Sequence, residues 1–171
     1  MKKTVKKASR ATLLVLLCAV FVLSSCGGEE GSKKEIDTAQ IAATLAQKTP
    51  IESKWINEDQ SFIKDYTDLP EFVKSSAIYY AQNTNNLDEF GIFLVEAGNS
   101  KNFRLQLMKD YLKKRYDENL DWYNSYMPTE TPKLRDAEVR VYGDCVVYAI
   151  LSPEKRTAFF AECEKLLKNE K

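Results

Sequence analysis

The hydrophobic and polar positions between residues 77 and 98 predict a pair of β-strands. The runs Ala77–Gln82 (AIYYAQ) and Glu89–Glu96 (EFGIFLVE) are rich in aromatic and branched side chains, which favour strands. The segment NTNNLD between them has the Asn and Asp residues typical of turns. We therefore expect a β-hairpin that Gly98 and Asn99 end.

A second hairpin is predicted near the C-terminus. In Ala137–Tyr142 (AEVRVY) the valines alternate with Glu and Arg, a period typical of a strand. Cys145–Leu151 (CVVYAIL) is the returning strand, after a two-residue turn at Gly143-Asp144. In this register Tyr142 pairs with Cys145.

Helical spacing appears in three further segments. A modest apolar stripe predicts a short helix over Glu35–Gln47, and a strong one predicts a long amphipathic helix over Lys101–Tyr126. Ser152, Pro153 and Glu154 suit the start of a final helix. That helix is expected to bury five side chains: Phe159, Phe160, Cys163, Leu166 and Leu167.

Two segments give weaker signals. Trp55–Tyr66 is mixed in character, and we interpret it as a loop, with a short helix as the alternative. Asp68–Ser76 (DLPEFVKSS) is interpreted as a short helical turn, because Pro70 and Glu71 suit a helix start.

Taken together, these elements predict an α+β fold. The order is a short N-terminal helix followed by β-β-α-β-β-α. We expect a two-layer sandwich, in which a four-stranded, mostly antiparallel sheet carries its helices on one face. Residues 35–171 would form this single domain.

The first 25 residues differ from this domain. Five basic residues and no acidic residue precede an apolar run from Ala11 to Leu23. The run has about 13 residues, fewer than the ~20 that span a bilayer. This pattern is typical of a secretory signal that is cleaved off.

The residues Leu23, Ser24, Ser25 and Cys26 (LSSC) follow the apolar run and resemble the lipobox of bacterial lipoproteins. In such proteins a diacylglycerol is attached to the cysteine and the signal is cut just before it. Each buried methylene contributes about 0.8 kcal/mol, so two or more acyl chains anchor a protein stably. Residues 26–34, rich in glycine and charge, are then a flexible tether.

Charge and composition exclude several functions. The chain has 25 basic and 25 acidic residues, so loss of the five basic residues of the signal leaves a net charge of −5. An acidic domain lacks the basic face that nucleic acids need. There is no histidine, which excludes Ser-His-Asp and Cys-His sites, and no Gly-rich phosphate-binding motif. No cofactor is expected.

Cys145 and Cys163 are the other thiols of the domain. Outside the cytoplasm they could form a disulfide. The predicted register, however, turns Cys145 away from the side of the sheet that carries Val139 and Val141. Cys163 lies on the apolar stripe of the final helix, so we expect the two cysteines on opposite sides of the sheet. Two buried free thiols are the alternative, and the one we favour.

Candidate chemistry comes from carboxylates and aromatic residues. Asp117 and Asp121, one helical turn apart, could bind Ca²⁺ or act as an acid–base pair, but such clusters on a long exposed helix are usually a solvated face. Glu89 could point into a groove or lie at a strand edge.

A glycan or peptide pocket is the other candidate site. Four aromatic residues could line it or could instead pack in the core: Phe62, Tyr66, Tyr79 and Tyr80. Tyr79 and Tyr80 face opposite sides of a strand, so only one can join it. The candidate pocket residues are Tyr66, Tyr80 and Glu89.

Three stretches besides LSSC suggest a family. They are residues 65–96 (DYTDLPEFVKSSAIYYAQNTNNLDEFGIFLVE), 126–128 (YMP) and 137–152 (AEVRVYGDCVVYAILS). The pattern resembles the bacterial lipoproteins known as DUF4358, a domain of unknown function, over roughly residues 35–167. The resemblance implies a surface lipoprotein of a Gram-positive, clostridia-like bacterium. It implies no activity and supplies no catalytic residue.

Three functions remain open. A lipid-anchored binding or interaction module of the cell envelope, with a protein or glycan partner, fits the anchor and the lack of a catalytic motif. A carboxylate-dependent envelope hydrolase is the main alternative. A solute-binding lipoprotein is a third, although about 135 residues is small for two lobes around a ligand.

The anchor gives the first testable prediction. We expect Cys26→Ala to release the protein from membranes or to leave it unprocessed, because the acylated thiol is lost. Fractionation of cells, with an immunoblot for size, measures both. Unchanged membrane partition together with normal processing would contradict lipidation at Cys26.

Overall fold

The computed structural model describes residues 36–58, 72–98 and 120–168 and seven single residues between 102 and 116. They belong to one unit that spans Glu35–Lys171. The signal, lipobox and tether lie outside the described residues, as do Phe62, Tyr66 and Asp117.

Five antiparallel strands form one sheet in the order β1-β2-β3-β5-β4. They are β1 (Trp55–Asn57), β2 (Val73–Ala81), β3 (Glu89–Val95), β4 (Glu138–Tyr142) and β5 (Cys145–Ile150). Both predicted hairpins are confirmed, as β2–β3 and β4–β5, and pairing of β3 with β5 joins them into the sheet.

Within the described ranges, four helices accompany the sheet. They are α1 (Thr38–Lys48), α2 (Leu120–Tyr126), α3 (Thr131–Arg135) and α4 (Pro153–Lys168). Seven described residues before α2, which fall within the predicted helix Lys101–Tyr126, also have helical backbone: Asn102, Gln106, Lys109, Asp110, Leu112, Lys113 and Tyr116. At the start of α1 the Asp37 carboxylate accepts a hydrogen bond from the amide of Gln40 at 3.0 Å.

The sheet buries side chains on both faces. On the first face, side chains such as Phe90, Ile92 and Val147 form a core with α1 and α4. On the second face, Ile78, Phe93, Val146, Tyr148 and Ile150 form a core with Tyr116 and with Leu134 of α3. The α+β combination of helices with an antiparallel sheet is therefore confirmed, but the helical segments cover two faces instead of the predicted one.

Two predicted boundaries are also corrected. Trp55–Asn57 is a fifth strand at the edge of the sheet, where three residues are too few to show a period of their own. Residues 73–76 extend β2 instead of forming a helical turn, because β3 supplies their backbone partners and a register shift at Val73/Ser75 accommodates them. The short helix α3 was not predicted.

The two cysteines lie in the same core. Tyr142 pairs with Cys145 as predicted, and Cys145 does face away from Val139 and Val141. The expectation that Cys163 lies on the opposite side of the sheet is wrong, because α4 covers the first face. Neither cysteine forms a disulfide, both are fully buried, and burial raises the pKa of the Cys163 thiol to about 12.

This burial makes Cys163 unreactive in the folded protein, because the thiolate is the reactive species. At about pH 8, near the pKa of an ordinary thiol, we expect iodoacetamide to spare Cys163 until guanidinium unfolds the chain. Mass spectrometry of the peptides that contain Cys145 and Cys163 measures this. Fast labelling of Cys163 in native protein would contradict the buried position.

The same pKa has a consequence for stability. Above about pH 9 the unfolded thiol ionises while the folded one stays protonated, so the free energy of unfolding falls as the pH rises toward 12. The slope from this thiol is at most about 1.4 kcal/mol per pH unit. The variant Cys163→Ala lacks this contribution and is the control in denaturant titrations.

Candidate functional site

A cleft of about 610 Å³ lies on the second face of the sheet, where β2 turns into β3. We call it the Glu89 cleft. Its described lining combines carboxylates with aromatic rings: Glu58, Asp88, Glu89, Tyr80, Tyr116, Trp122 and Tyr123. Gln82, Thr84 and Asn86 of the turn add amide and hydroxyl groups.

Glu89 is only 5% exposed and is held by two tyrosines. The hydroxyl of Tyr116 donates to Oε2 at 2.5 Å, and the hydroxyl of Tyr148 donates to Oε1 at 2.6 Å. A buried carboxyl group is costly unless such partners satisfy it. The two tyrosines therefore fix Glu89 in one orientation at the inner end of the cleft.

Gly91 allows Tyr148 to reach Glu89. Gly91 and Tyr148 are directly opposed in the β3–β5 register, and Glu89, two residues before Gly91, points to the same face. A Cβ atom on Gly91 would lie 2.4 Å from Cε1 of Tyr148. The missing side chain thus gives the tyrosine ring room to lie across β3.

Asp88 is clamped by two lysines. Its Oδ1 accepts from Lys133 of α3 at 2.8 Å, and its Oδ2 accepts from Lys155 of α4 at 3.1 Å. Burial by itself lowers the pKa of Lys133, but hydrogen bonds to Asp88 and Glu130 and the charges of these two acids raise it above the ordinary lysine value. Glu130 also accepts from the amide of Leu87 at 2.9 Å. These contacts hold the β2–β3 turn against α3 and α4.

An exposed aromatic group lies at the mouth of the cleft. Trp122 is 51% exposed and Tyr126 is 71% exposed, and their ring centroids are 5.1 Å apart. The rings of Trp122 and Tyr123 also meet edge to face, with their centroids 5.3 Å apart. Large aromatic side chains exposed together beside a cleft are typical of ligand and partner sites.

The structure brings together two of the three predicted pocket residues. Tyr80 and Glu89 are directly opposed in the β2–β3 register and line the same cleft. Tyr79 points into the first core, where it stacks on Phe90 at 5.4 Å, so Tyr80 alone of this pair reaches the cleft. Tyr66 lies outside the described residues, and Asp121 is on an exposed position of α2.

Sequence reasoning missed the partners that complete the site. Tyr116 is 27 residues from Glu89 and Tyr148 is 59 residues away, and no local spacing links them. Asp88 was interpreted only as part of a turn. The one sequence signal was Gly91, because an isolated glycine inside a strand often marks the close approach of another group.

Comparison with known proteins finds no matching family model, curated protein or solved structure. The site must therefore be interpreted from its own chemistry. Within the described ranges, no cluster of three or more acidic or cysteine side chains is arranged to hold a metal ion. No helix in the same part of the chain has the length and apolar character needed to cross a membrane.

The contact between Gly91 and Tyr148 can be tested by a double-mutant cycle. Tyr148→Phe removes a hydrogen bond to a buried carboxyl group and should cost about 1–3 kcal/mol of unfolding free energy. Gly91→Ala displaces the same ring and should cost about 1–3 kcal/mol. Since displacement also breaks the hydrogen bond, we expect the double variant to lose less than the sum.

Denaturant unfolding measures all three variants. The control is Tyr79→Phe, which changes the neighbouring tyrosine on the first face and should shift stability by no more than about 0.5 kcal/mol. Strict additivity of the two substitutions, or a Tyr148→Phe variant as stable as the parent, would contradict the described geometry.

Proposed function

We propose that this protein is a lipid-anchored binding module on the extracytoplasmic face of a bacterial membrane and that the Glu89 cleft is its ligand site. The observation that carries the proposal is the combination of aromatic rings and fixed polar groups in one cleft. The signal, lipobox and tether supply the location. The resemblance to the DUF4358 lipoproteins agrees with this location.

The lining favours a saccharide ligand. A sugar ring has an apolar face that stacks on aromatic side chains, and its hydroxyl groups pair with amides and carboxylates. Tyr80 and Trp122 supply the aromatic surface, and Gln82, Asn86 and Glu58 supply the polar groups. A volume of about 610 Å³ is within the range of small-ligand sites. Envelope glycans are the saccharides that an anchored protein would meet.

A carboxylate hydrolase is less well supported by the same residues. Glycosidases need two carboxyl groups about 5–10 Å apart, each able to exchange a proton or attack the sugar. Both oxygens of Asp88 already accept from lysines, and both oxygens of Glu89 accept from tyrosines. Carboxylates whose two oxygens already accept hydrogen bonds are better suited to holding a binding surface in place than to transferring protons.

Tryptophan fluorescence tests the binding. The chain has two tryptophans, and Trp55 lies on the first face with its indole N–H donating to the Thr49 carbonyl at 2.8 Å. Trp55→Phe therefore leaves Trp122 as the only reporter. We expect soluble peptidoglycan fragments to change its emission saturably. Removing one stacking ring, in Tyr80→Ala, should weaken affinity about tenfold, which corresponds to ~1.4 kcal/mol.

The matched control is Tyr79→Phe, which should leave the affinity unchanged because Tyr79 lies on the other face. Absence of any saturable change with peptidoglycan fragments and with other bacterial glycans would contradict the saccharide proposal. Release of shorter sugars during the titration, lost in both Asp88→Asn and Glu89→Gln, would instead favour the hydrolase.

A further inference from the structure

A second cavity, of about 450 Å³, lies on the same face of the sheet. It is bounded by the helical residues before α2, by α2 and α3, and by the start of β4. Its described floor is apolar and consists of Leu112, Leu120, Leu134, Ala137 and Val139. These side chains also pack against the second core, which supports the floor of the cavity from below.

The rim of this cavity is positively charged. Lys109 and Lys113 lie one helical turn apart, which places them on the same side of the helix, and Arg135 comes from the end of α3. None of the described residues that line the cavity is acidic. The nearby contact between Arg135 and Asp136 is 3.5 Å long and largely exposed, so solvent screens it. We call this cavity the basic pocket.

The two cavities differ in the charged side chains that line them. The described lining of the Glu89 cleft includes three carboxylates and neither lysine nor arginine, whereas that of the basic pocket includes three cations and no carboxylate. Tyr116 lines both and forms part of the wall between them. An anionic head group is therefore favoured at the rim of the basic pocket and disfavoured in the Glu89 cleft.

We propose that the basic pocket binds an anionic amphiphile, with its apolar chain on the leucine floor and its carboxylate or phosphate at the rim. Burial of apolar surface on the floor supplies the affinity. Arg135 suits the head group because its planar guanidinium can pair with two oxygens at once. The cavity volume lies within the range of small-ligand sites. This activity is separate from glycan binding and does not depend on it.

Photolabelling tests the proposal on the full chain held in phosphatidylcholine nanodiscs. The probe is a medium-chain fatty acid that carries a diazirine, and mass spectrometry maps its adducts. We expect adducts on the peptides that contain Leu120, Leu134 and Val139. Arg135→Gln should raise the half-saturating concentration of the probe about threefold, because the variant loses one exposed ion pair with the head group. Ala137→Phe, which fills the cavity, should reduce labelling at least about tenfold.

The control is Lys165→Gln, which removes an exposed lysine from α4 on the first face and should change nothing. Circular dichroism checks that the Ala137→Phe variant is folded. Arg135→Gln changes an exposed residue, so it tests the site without disturbing the core. Adducts spread evenly over the surface, or labelling that neither pocket variant changes, would overturn the proposal. Equal labelling by the matching diazirine alcohol would overturn the role of the cations.

A further arm identifies the source of the ligand. Part of the phosphatidylcholine is replaced by phosphatidylglycerol, an anionic lipid with the same kind of chain. Loss of labelling would support the proposal and identify a lipid of the bilayer as the occupant. Unchanged labelling would support it with a free fatty acid or similar soluble amphiphile as the occupant.

Discussion

The fold depends on the central pair of strands, β3 and β5, which carry apolar side chains on both faces. All six residues of β5 are buried, and so are six of the seven in β3. Water must be excluded from both faces of this pair, because a strand that exposed either row would lose the burial that stabilises it. The α1 and α4 helices therefore pack on the first face, and α3 with Tyr116 packs on the second.

Two adjacent carboxylates interrupt this apolar environment where β3 begins. Asp88 and Glu89 are both buried. Lysines of α3 and α4 pair with Asp88, and the tyrosine hydroxyls of two distant segments donate to Glu89. Removal of one partner would leave a buried polar group unsatisfied, which costs more than the pair contributes. The pair thus ties the β2–β3 turn, both helices and the second core to one point beside the cleft.

Tyr116 connects this structural point to the two proposed sites. Its hydroxyl donates a hydrogen bond to Glu89, and the residue lines both the Glu89 cleft and the basic pocket. An acidic, aromatic cavity and a basic, apolar one can then lie side by side on one face. For a protein tethered to a membrane, such a face would present one site for a glycan and another for a lipid-like anion.

The sequence alone determined the two hairpins, the final helix and the N-terminal signal pattern, because neighbouring residues encode period, turn and cap. It also placed Tyr80 and Glu89 as candidates. The unbroken apolar run CVVYAIL, next to the alternating AEVRVY, indicates a strand that is buried on both faces. The predicted sandwich, with helices on one face only, does not account for that run. Only the tertiary structure decided which helices cover which face, that Cys145 and Cys163 share a core, and that Tyr116 and Tyr148 meet at Glu89. These contacts join residues far apart in the chain, where no local periodicity records them, and packing of the assembled sheet selects them.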